Sequence, residues 1–261
     1  MIQVRNLVKK FGELTAVQDV SFEVKGGEIF AFLGPNGAGK TTTIKMLTTL
    51  LRPTSGQLEL DGLDPTTQPH AVRQRFGIVF QDSSLDDELT AYENLEFHCV
   101  LYKVPRRARA ERIQRLLTLF QLSDRRDDVV KQFSGGMKRR LEIARSLLHT
   151  PKILFLDEPT LGLDPQTRHQ LWRHLKVLNE HEHITIFLTT HYMEEAERVA
   201  HRLAVIDHGR IVAQGTPEEI KHQTCAGTLE QAFLTLTGAA IREEEADGTD
   251  HLRRAVKLWR R

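Results

Sequence analysis

The stretch LGPNGAGKTTTIK, residues 33–45, limits what this chain can fold into more than any other segment. It meets the pattern G-x-x-x-x-G-K-[ST] with Gly34, Gly39, Lys40 and Thr41. A loop that wraps a phosphate turns its backbone N–H groups inward, and glycine adopts the required backbone shapes at little cost. The helix behind such a loop adds free N-terminal N–H groups and the positive end of its dipole. In this pattern the lysine reaches the β- and γ-phosphates and the hydroxyl after it coordinates Mg²⁺. The arrangement works only as strand, loop, helix. EIFAFL (28–33) supplies an apolar run fit for a buried strand, and Ile44, Leu47 and Leu51 then recur at helical spacing. Gly34, Pro35, Asn36, Gly37, Ala38, Gly39, Lys40, Thr41 and Thr42 are therefore the candidate nucleotide-binding loop.

The rest of the chain says which α/β fold surrounds that loop. Up to about Asp61 it reads as strands: IQVRNLV, VSFEV, EIFAFL and QLELDG. The two-residue alternation in VSFEV and QLELD predicts half-buried, antiparallel strands. FGIVFQ (76–81) is a further apolar run ending in Gln81. From about Thr90 to Thr150 the pattern turns helical. Pro105 opens a segment in which Ile113, Leu116, Leu117 and Phe120 form an apolar stripe and the arginines a solvated face. KILFLDEP and ITIFLTTH, on either side of a helical 166–178, are continuously apolar, as parallel strands covered on both faces should be. LAVIDHGRIVAQG predicts a hairpin turning at His208-Gly209. The fold class is α/β: a doubly wound core, an N-terminal antiparallel β-subdomain and an inserted α-helical subdomain at about 90–150. After Thr216 come an amphipathic stretch (229–236) and the charge-rich IREEEADGTDHLRRAVKLWRR, expected to be a marginal surface helix or partly disordered.

Composition excludes several function classes. Lys+Arg total 36 and Asp+Glu 35, a net charge of +1, so the chain lacks the basic footprint of a nucleic-acid binder and no nucleic-acid partner is expected. Its 2 cysteines, Cys99 and Cys225, have no metal-like spacing and fit a reducing compartment. MIQVRNLVKKFG lacks the apolar core of a signal peptide, and no window reaches membrane-spanning length. The expectation is a protein soluble by itself, whose membrane role, if it has one, comes through a partner.

ILFLDEP places Asp157 and Glu158 at the C-terminal edge of a buried strand, where ligands sit in open α/β sheets. If that strand neighbours the one before Gly34, Asp157 faces the Mg²⁺ held by Thr41, and Glu158 faces the solvent side of the γ-phosphate. An acid near the metal and a carboxylate to orient water are what phosphate-anhydride hydrolysis requires.

Between these motifs lies FSGGMKRRLEIARSLL (133–148), in which Ser134, Gly135 and Gly136 precede a helix marked by Leu141, Ala144 and Leu148. This is a second anion-binding helix end in one chain. With Phe11, the Gly34 loop, Gln81, SGG, LDE, LGLD and His191 in this order, residues 1–220 resemble the ATP-binding subunit of an ABC transporter. SGGM with an Arg-rich LEIAR helix, the absence of a Gly-Glu-Arg element in DDVVKQ, and the ending GTPEEI are similar to drug and antibiotic exporters of the ABC-2, daunorubicin-resistance-like subgroup, whose permease is a separate transmembrane subunit. The resemblance implies a P-loop NTPase (RecA-like) core spanning 1–220, a short extension over 221–261, the cofactors ATP and Mg²⁺, and a place on the cytoplasmic face of the membrane. It implies that two such subunits, alike or different, pair head to tail. Ser134, Gly135 and Gly136 of one then bind the γ-phosphate held by the other's loop, and Asp164 crosses the interface. Phe11 stacks on adenine. Gln81 touches Mg²⁺ and the attacking water, Glu158 polarises that water, and His191 holds the γ-phosphate as a hydrogen-bond donor. A groove near 81–101 receives a helix of the permease.

Plainer readings stand beside these. Lys138-Arg139-Arg140 reads as the exposed face of the signature helix, and His181-Glu182-His183 as a solvated loop. Tyr92, Glu93, Leu95, Phe97 and Leu101 fit ordinary packing within the helical block. Soluble ABC ATPases acting on nucleic acid carry a long coiled coil between Lys40 and Asp157, absent here, and ribosomal ones usually carry two cassettes. A P-loop kinase leaves SGG and His191 without a use, and an importer subunit shares the same cassette.

Overall fold

The computed structural model describes residues 1–238; the charge-rich segment from Ile241 lies outside them. A three-stranded antiparallel sheet comes from the N-terminal quarter: β1 (Ile2–Phe11), β2 (Leu14–Val24) and β4 (Ser55–Leu60), in the order β2-β1-β4. Its pairing is antiparallel throughout, with Ile2 opposite both Val24 and Leu60. The alternating residues bury one face, as the sequence predicts.

The second sheet has six strands in the order β5-β6-β7-β3-β8-β9. These are β3 (Ile29–Leu33), β5 (Phe76–Val79), β6 (Ile153–Asp157), β7 (Thr185–Thr190), β8 (Arg202–Asp207) and β9 (Arg210–Gly215). All pairs are parallel except the β8–β9 hairpin, which turns at His208-Gly209. One expectation needs correction. The strand before Gly34 and the strand carrying Asp157 are not neighbours: β7 lies between them.

The central strands divide their residues between two cores. Ile29, Ala31 and Leu33 of β3 face one layer, together with Leu154 and Leu156 of β6 and Ile186 and Leu188 of β7. Phe30 and Phe32 face the other, together with Phe155 and Phe187. A continuously apolar strand is thus still a two-sided object, with each face meeting a different layer. The aromatic layer sits between the two sheets. Phe187 packs its ring against Phe22, Phe30, Phe32 and Phe155 at centroid distances of 5.9, 5.7, 5.6 and 5.5 Å, and α1 (Lys40–Leu47) closes that layer with Ile44, Met46 and Leu47.

Beyond the short α2 (Pro69–Arg73), the helical block holds α3 (Ala91–Leu101), α4 (Arg106–Leu119) and α5 (Gly135–Ser146). Thr90 and Glu93 form a reciprocal capping box on α3, and Pro105 stands at the N-cap position of α4 without a side-chain hydrogen bond. Ile113, Leu116, Leu117 and Phe120 are buried, as their spacing predicts. On α5 the basic run is not an exposed face: Arg139 is only 6% exposed and Arg140 donates to the Phe120 carbonyl. Next come α6 (Pro165–Glu182) and α7 (Met193–Val199). His181 and Glu182 belong to the last turn of α6 rather than to a loop, and Glu182 pairs with Arg115. The chain continues through α8 (Pro217–Gln223) and α9 (Leu229–Thr237). Glu197 of α7 fastens both, accepting from Lys221 Nζ at 2.5 Å and from the Leu229 N–H at 3.2 Å.

Because Phe187 is fully buried at the centre of the aromatic layer, Phe187→Ala is expected to cost about 3–5 kcal/mol of stability. Urea denaturation checks this; a loss below about 1 kcal/mol would show that the layer is not a packed core.

Candidate active site

The phosphate-type loop follows β3 directly. At two of its glycines a side chain has no room. A Cβ on Gly34 would sit 2.4 Å from the Ile206 carbonyl oxygen; on Gly39, at φ +105°, it would sit 2.6 Å from that of Ala16. Gly39 starts α1 without a side-chain cap, so the first N–H groups of the helix are left to whatever the loop cradles. A cavity of about 710 Å³ opens here. It is lined by Gly34, Pro35, Asn36, Gly37, Ala38, Gly39, Lys40, Thr41 and Thr42, and by Gln81, Asp157, Glu158 and His191 from the ends of other strands.

The charged groups in this cavity are all held. Lys40 is buried and donates from Nζ to the carbonyls of Gly34 (2.6 Å) and Pro35 (3.1 Å). Burial pulls its pKa below the usual lysine value, and the charges of Glu158 and Asp157 oppose that pull. The Asp157 carboxylate accepts from the hydroxyls of Thr189 (2.6 Å) and Thr41 (3.3 Å). Thr41 therefore meets Asp157 although β3, which leads into the loop, and β6 are not adjacent strands. Glu158 is in the left-handed region at φ +49°. Its carboxylate takes the His191 backbone N–H at 3.3 Å and lies 2.9 Å from His191 Nδ1. Hydroxyl and carboxylate oxygens from Thr41 and Asp157 are the hard donors that Mg²⁺ takes together with phosphate oxygens.

The remaining sequence candidates lie outside this cavity. Ser134 caps α5, accepting from the Met137 N–H at 3.3 Å, and Asp164 caps α6 through Thr167 N–H (3.0 Å) and Thr167 Oγ1 (2.6 Å). A Cβ on Gly136 would lie 2.6 Å from Thr167 Cγ2, so the starts of α5 and α6 abut. Ser134, Gly135, Gly136 and Asp164 thus form a second cluster at two helix N-termini. Phe11, at the end of β1, is 47% exposed with Lys9 Nζ 4.9 Å from its ring centre.

Several contributors were not foreseen. Thr189 holds Asp157 and also accepts the Glu158 N–H on its hydroxyl at 3.1 Å. The doubled threonine that closes ITIFLTTH was the available signal, since two hydroxyls in an apolar strand need partners. Met193, Phe233 and Ala16 line the cavity from α7, α9 and β2, and nothing in their local sequence marks them; Leu161, the first residue of LGLD, lines it from the turn after Glu158. Thr189→Val is expected to cost about 1–3 kcal/mol, because the buried Asp157 carboxylate keeps its shape-matched neighbour but loses a hydrogen bond. Thermal unfolding checks it, and an unchanged midpoint would show that this bond carries nothing.

Comparison with known proteins agrees with this geometry. The family model described as ABC transporter matches residues 17–161. A daunorubicin/doxorubicin resistance ATP-binding protein of Streptomyces peucetius is 46% identical over 84% of this chain and 66% of its own length. A Nod factor export ATP-binding protein of Ralstonia nicotianae is 42% identical over 95% and 79%. Among solved structures, an ATP-binding subunit of an ABC transporter superposes with a TM-score of 0.82 at 31% identity, over 90% of this chain and 99% of that one. A dimeric ATP-binding cassette in a post-hydrolysis state, bound to ADP and Pi, gives 0.75 at 29% identity, over 83% and 98%. With the family model spanning the loop, the SGG segment and the strand-end carboxylates, and with relatives matched in sequence and in fold, the chain belongs to the ABC transporter family of ATP-binding subunits.

Proposed function

We propose that the chain is the ATP-hydrolysing subunit of an ABC-type exporter, peripheral to the cytoplasmic face of a membrane and working with a separate transmembrane permease. The observation that carries the reading is the separation of two anion-binding helix ends. One, at α1, belongs to a cavity holding Lys40, Asp157 and Glu158; the other, at Ser134, opens outside it. A head-to-tail pair of cassettes uses both. The relatives named for drug resistance and for Nod factor export favour export over import. Among the described residues no helix is long and apolar enough to cross a membrane. Phe97, Val100 and Leu101 on α3 leave an exposed apolar face suited to a permease helix. Residues 1–220 form the nucleotide-binding unit in this reading, with the helical subdomain at about 90–150 and a short extension over 221–261.

ATP binds with its phosphates in loop 34–42. The Lys40 ammonium exchanges the Gly34 and Pro35 carbonyls for the β- and γ-phosphates. Thr41, Asp157 and Gln81 are the residues that would hold Mg²⁺, which when bound screens the charge on the transferring phosphoryl group. Glu158 polarises the attacking water. With His191 Nδ1–H on that carboxylate, Nε2 is the ring nitrogen left to face the γ-phosphate, and it donates there only as the doubly protonated imidazolium. Phe11 stacks on adenine, while Ser134, Gly135, Gly136 and Asp164 of the second cassette close the site. Binding energy closes the pair, and hydrolysis resets it.

Glu158→Gln is expected to bind ATP, turn over at least about a hundred-fold more slowly, and accumulate as a dimer in gel filtration with ATP; near-normal turnover would remove Glu158 from its role. Ser134→Arg is expected to abolish turnover while the monomer still binds ATP; loss of monomer binding would remove the two-subunit site. A polytopic membrane protein co-purifying with Glu158→Gln in equal amount from mildly solubilised membranes supports the exporter, and ribosomes or DNA-bound proteins in its place overturn it.

A further inference from the structure

Arg139 makes contacts that the reaction scheme does not use. Its side chain is buried on α5, and Arg139 is not itself among the residues that line the nucleotide cavity. Its planar head instead gathers backbone carbonyls from two separate segments. Nε donates to Pro159 O at 2.9 Å; Nη2 donates to Asp157 O at 3.2 Å and Glu158 O at 2.8 Å; Nη1 donates to Phe80 O. Glu142, one turn further along the helix, lies 3.2 Å from Nη1 and accepts the Ser84 N–H at 2.8 Å on its other oxygen. Arg145 donates to the Ser84 carbonyl at 2.6 Å. One helix face therefore grips the backbone on both sides of Gln81 and the turn that carries Asp157 and Glu158.

This is an expensive way to fill a core. Burying a guanidinium costs several kcal/mol before its partners offset it, and a well-packed apolar side chain holds such a space at least as well. What an apolar side chain cannot do is satisfy carbonyls of consecutive residues that converge on one point. Glu158 sits at φ +49°, a backbone shape disfavoured for a residue with a side chain. The turn from Asp157 to Pro159 directs its three carbonyl oxygens to Arg139, and only a rigid planar donor set reaches all of them together with Phe80.

We propose that Arg139 is a positioning residue for hydrolysis: by clamping the carbonyls of residues 157–159 and of Phe80, it fixes the Glu158 carboxylate and the Gln81 amide in one frame. The proposal rests on the assignment of Glu158 as the group that polarises water. Arg139 acts through the backbone that carries Glu158 and Gln81.

The test compares Arg139→Lys, Glu158→Gln and the double variant with the wild type, as full-length chains, by steady-state ATPase assay and by binding of a fluorescent ATP analogue. Lysine keeps the charge but meets only some of the carbonyls. Arg139→Lys is expected to lower kcat by about ten- to a hundred-fold, the scale of a displacement near 1 Å at a reacting group, with KM and analogue affinity within about two-fold of wild type. In the Glu158→Gln background the same change is expected to cost less than about two-fold, because its effect passes through a group already disabled. A wild-type kcat in Arg139→Lys, a loss appearing in KM instead, or a full multiplicative loss in the double variant would each overturn the proposal. Should Arg139→Lys fail to fold, Glu142→Gln replaces it: this removes the carboxylate that orients Nη1 and takes the Ser84 N–H, and so loosens the guanidinium's hold on the carbonyls. A several-fold fall in kcat at unchanged KM supports the clamp, and unchanged kcat overturns it. Full turnover by Glu158→Gln itself would bring down the underlying assignment, an outcome distinct from a silent Arg139→Lys beside an inactive Glu158→Gln.

Discussion

Two places without room for a methyl group decide where the nucleotide loop sits. Gly34 lies against the carbonyl of Ile206 on β8 and Gly39 against that of Ala16 on β2. The loop is thus wedged where the antiparallel sheet meets the parallel one. The hairpin after β8 completes the joint: Gly209 accepts the Gln18 N–H at 2.7 Å and donates to the Ala38 carbonyl at 3.1 Å. The N-terminal sheet is therefore one wall of the nucleotide loop as well as a cover for the aromatic core. From the loop so placed, α1 packs against β6, and the Thr41 hydroxyl meets Asp157 although β7 separates β3 from β6.

Much of this was legible because the chemistry is local. A cradle for phosphate needs its glycines, its lysine and its hydroxyl within eight residues, and strands covered on both faces need unbroken apolar runs. Period and punctuation were enough for β3, β6, β7, the hairpin and the stripe on α4. What could not be read was lateral order. A parallel strand carries no mark of its neighbour, so the insertion of β7 between β3 and β6 had no sequence signal. Arg139 escaped for a related reason. Three basic residues in a row suggest a wet surface, and only the register of α5 shows otherwise: Arg139, Glu142 and Ser146 lie on one stripe at helical spacing and are all buried. Phe233 comes to the cavity from almost two hundred residues away, through α9 packing on α7, and long-range arrivals leave no local pattern.

The electrostatics of the site follow one rule: no charge in it faces empty space. Lys40 holds the carbonyls of its own loop, Asp157 is shared between two threonines, and Glu158 is met by His191. Arriving phosphates therefore exchange existing hydrogen bonds for new ones and do not rescue bare charges. This keeps the loop ordered without a large reorganisation cost, the condition under which fixed dipoles stabilise a transition state well.

If Ser134 serves the cavity of a second cassette, as proposed, its placement outside this one has a consequence for kinetics. A catalytic centre divided between two chains assembles at a rate that depends on the square of cassette concentration when the cassettes are dilute. Free cassettes then waste little ATP, however abundant the nucleotide. Two cassettes fastened to one permease meet as if intramolecularly, at an effective concentration of about millimolar or higher. A site divided in this way would make fuel consumption a property of the assembled machine, with stoichiometry itself acting as the throttle.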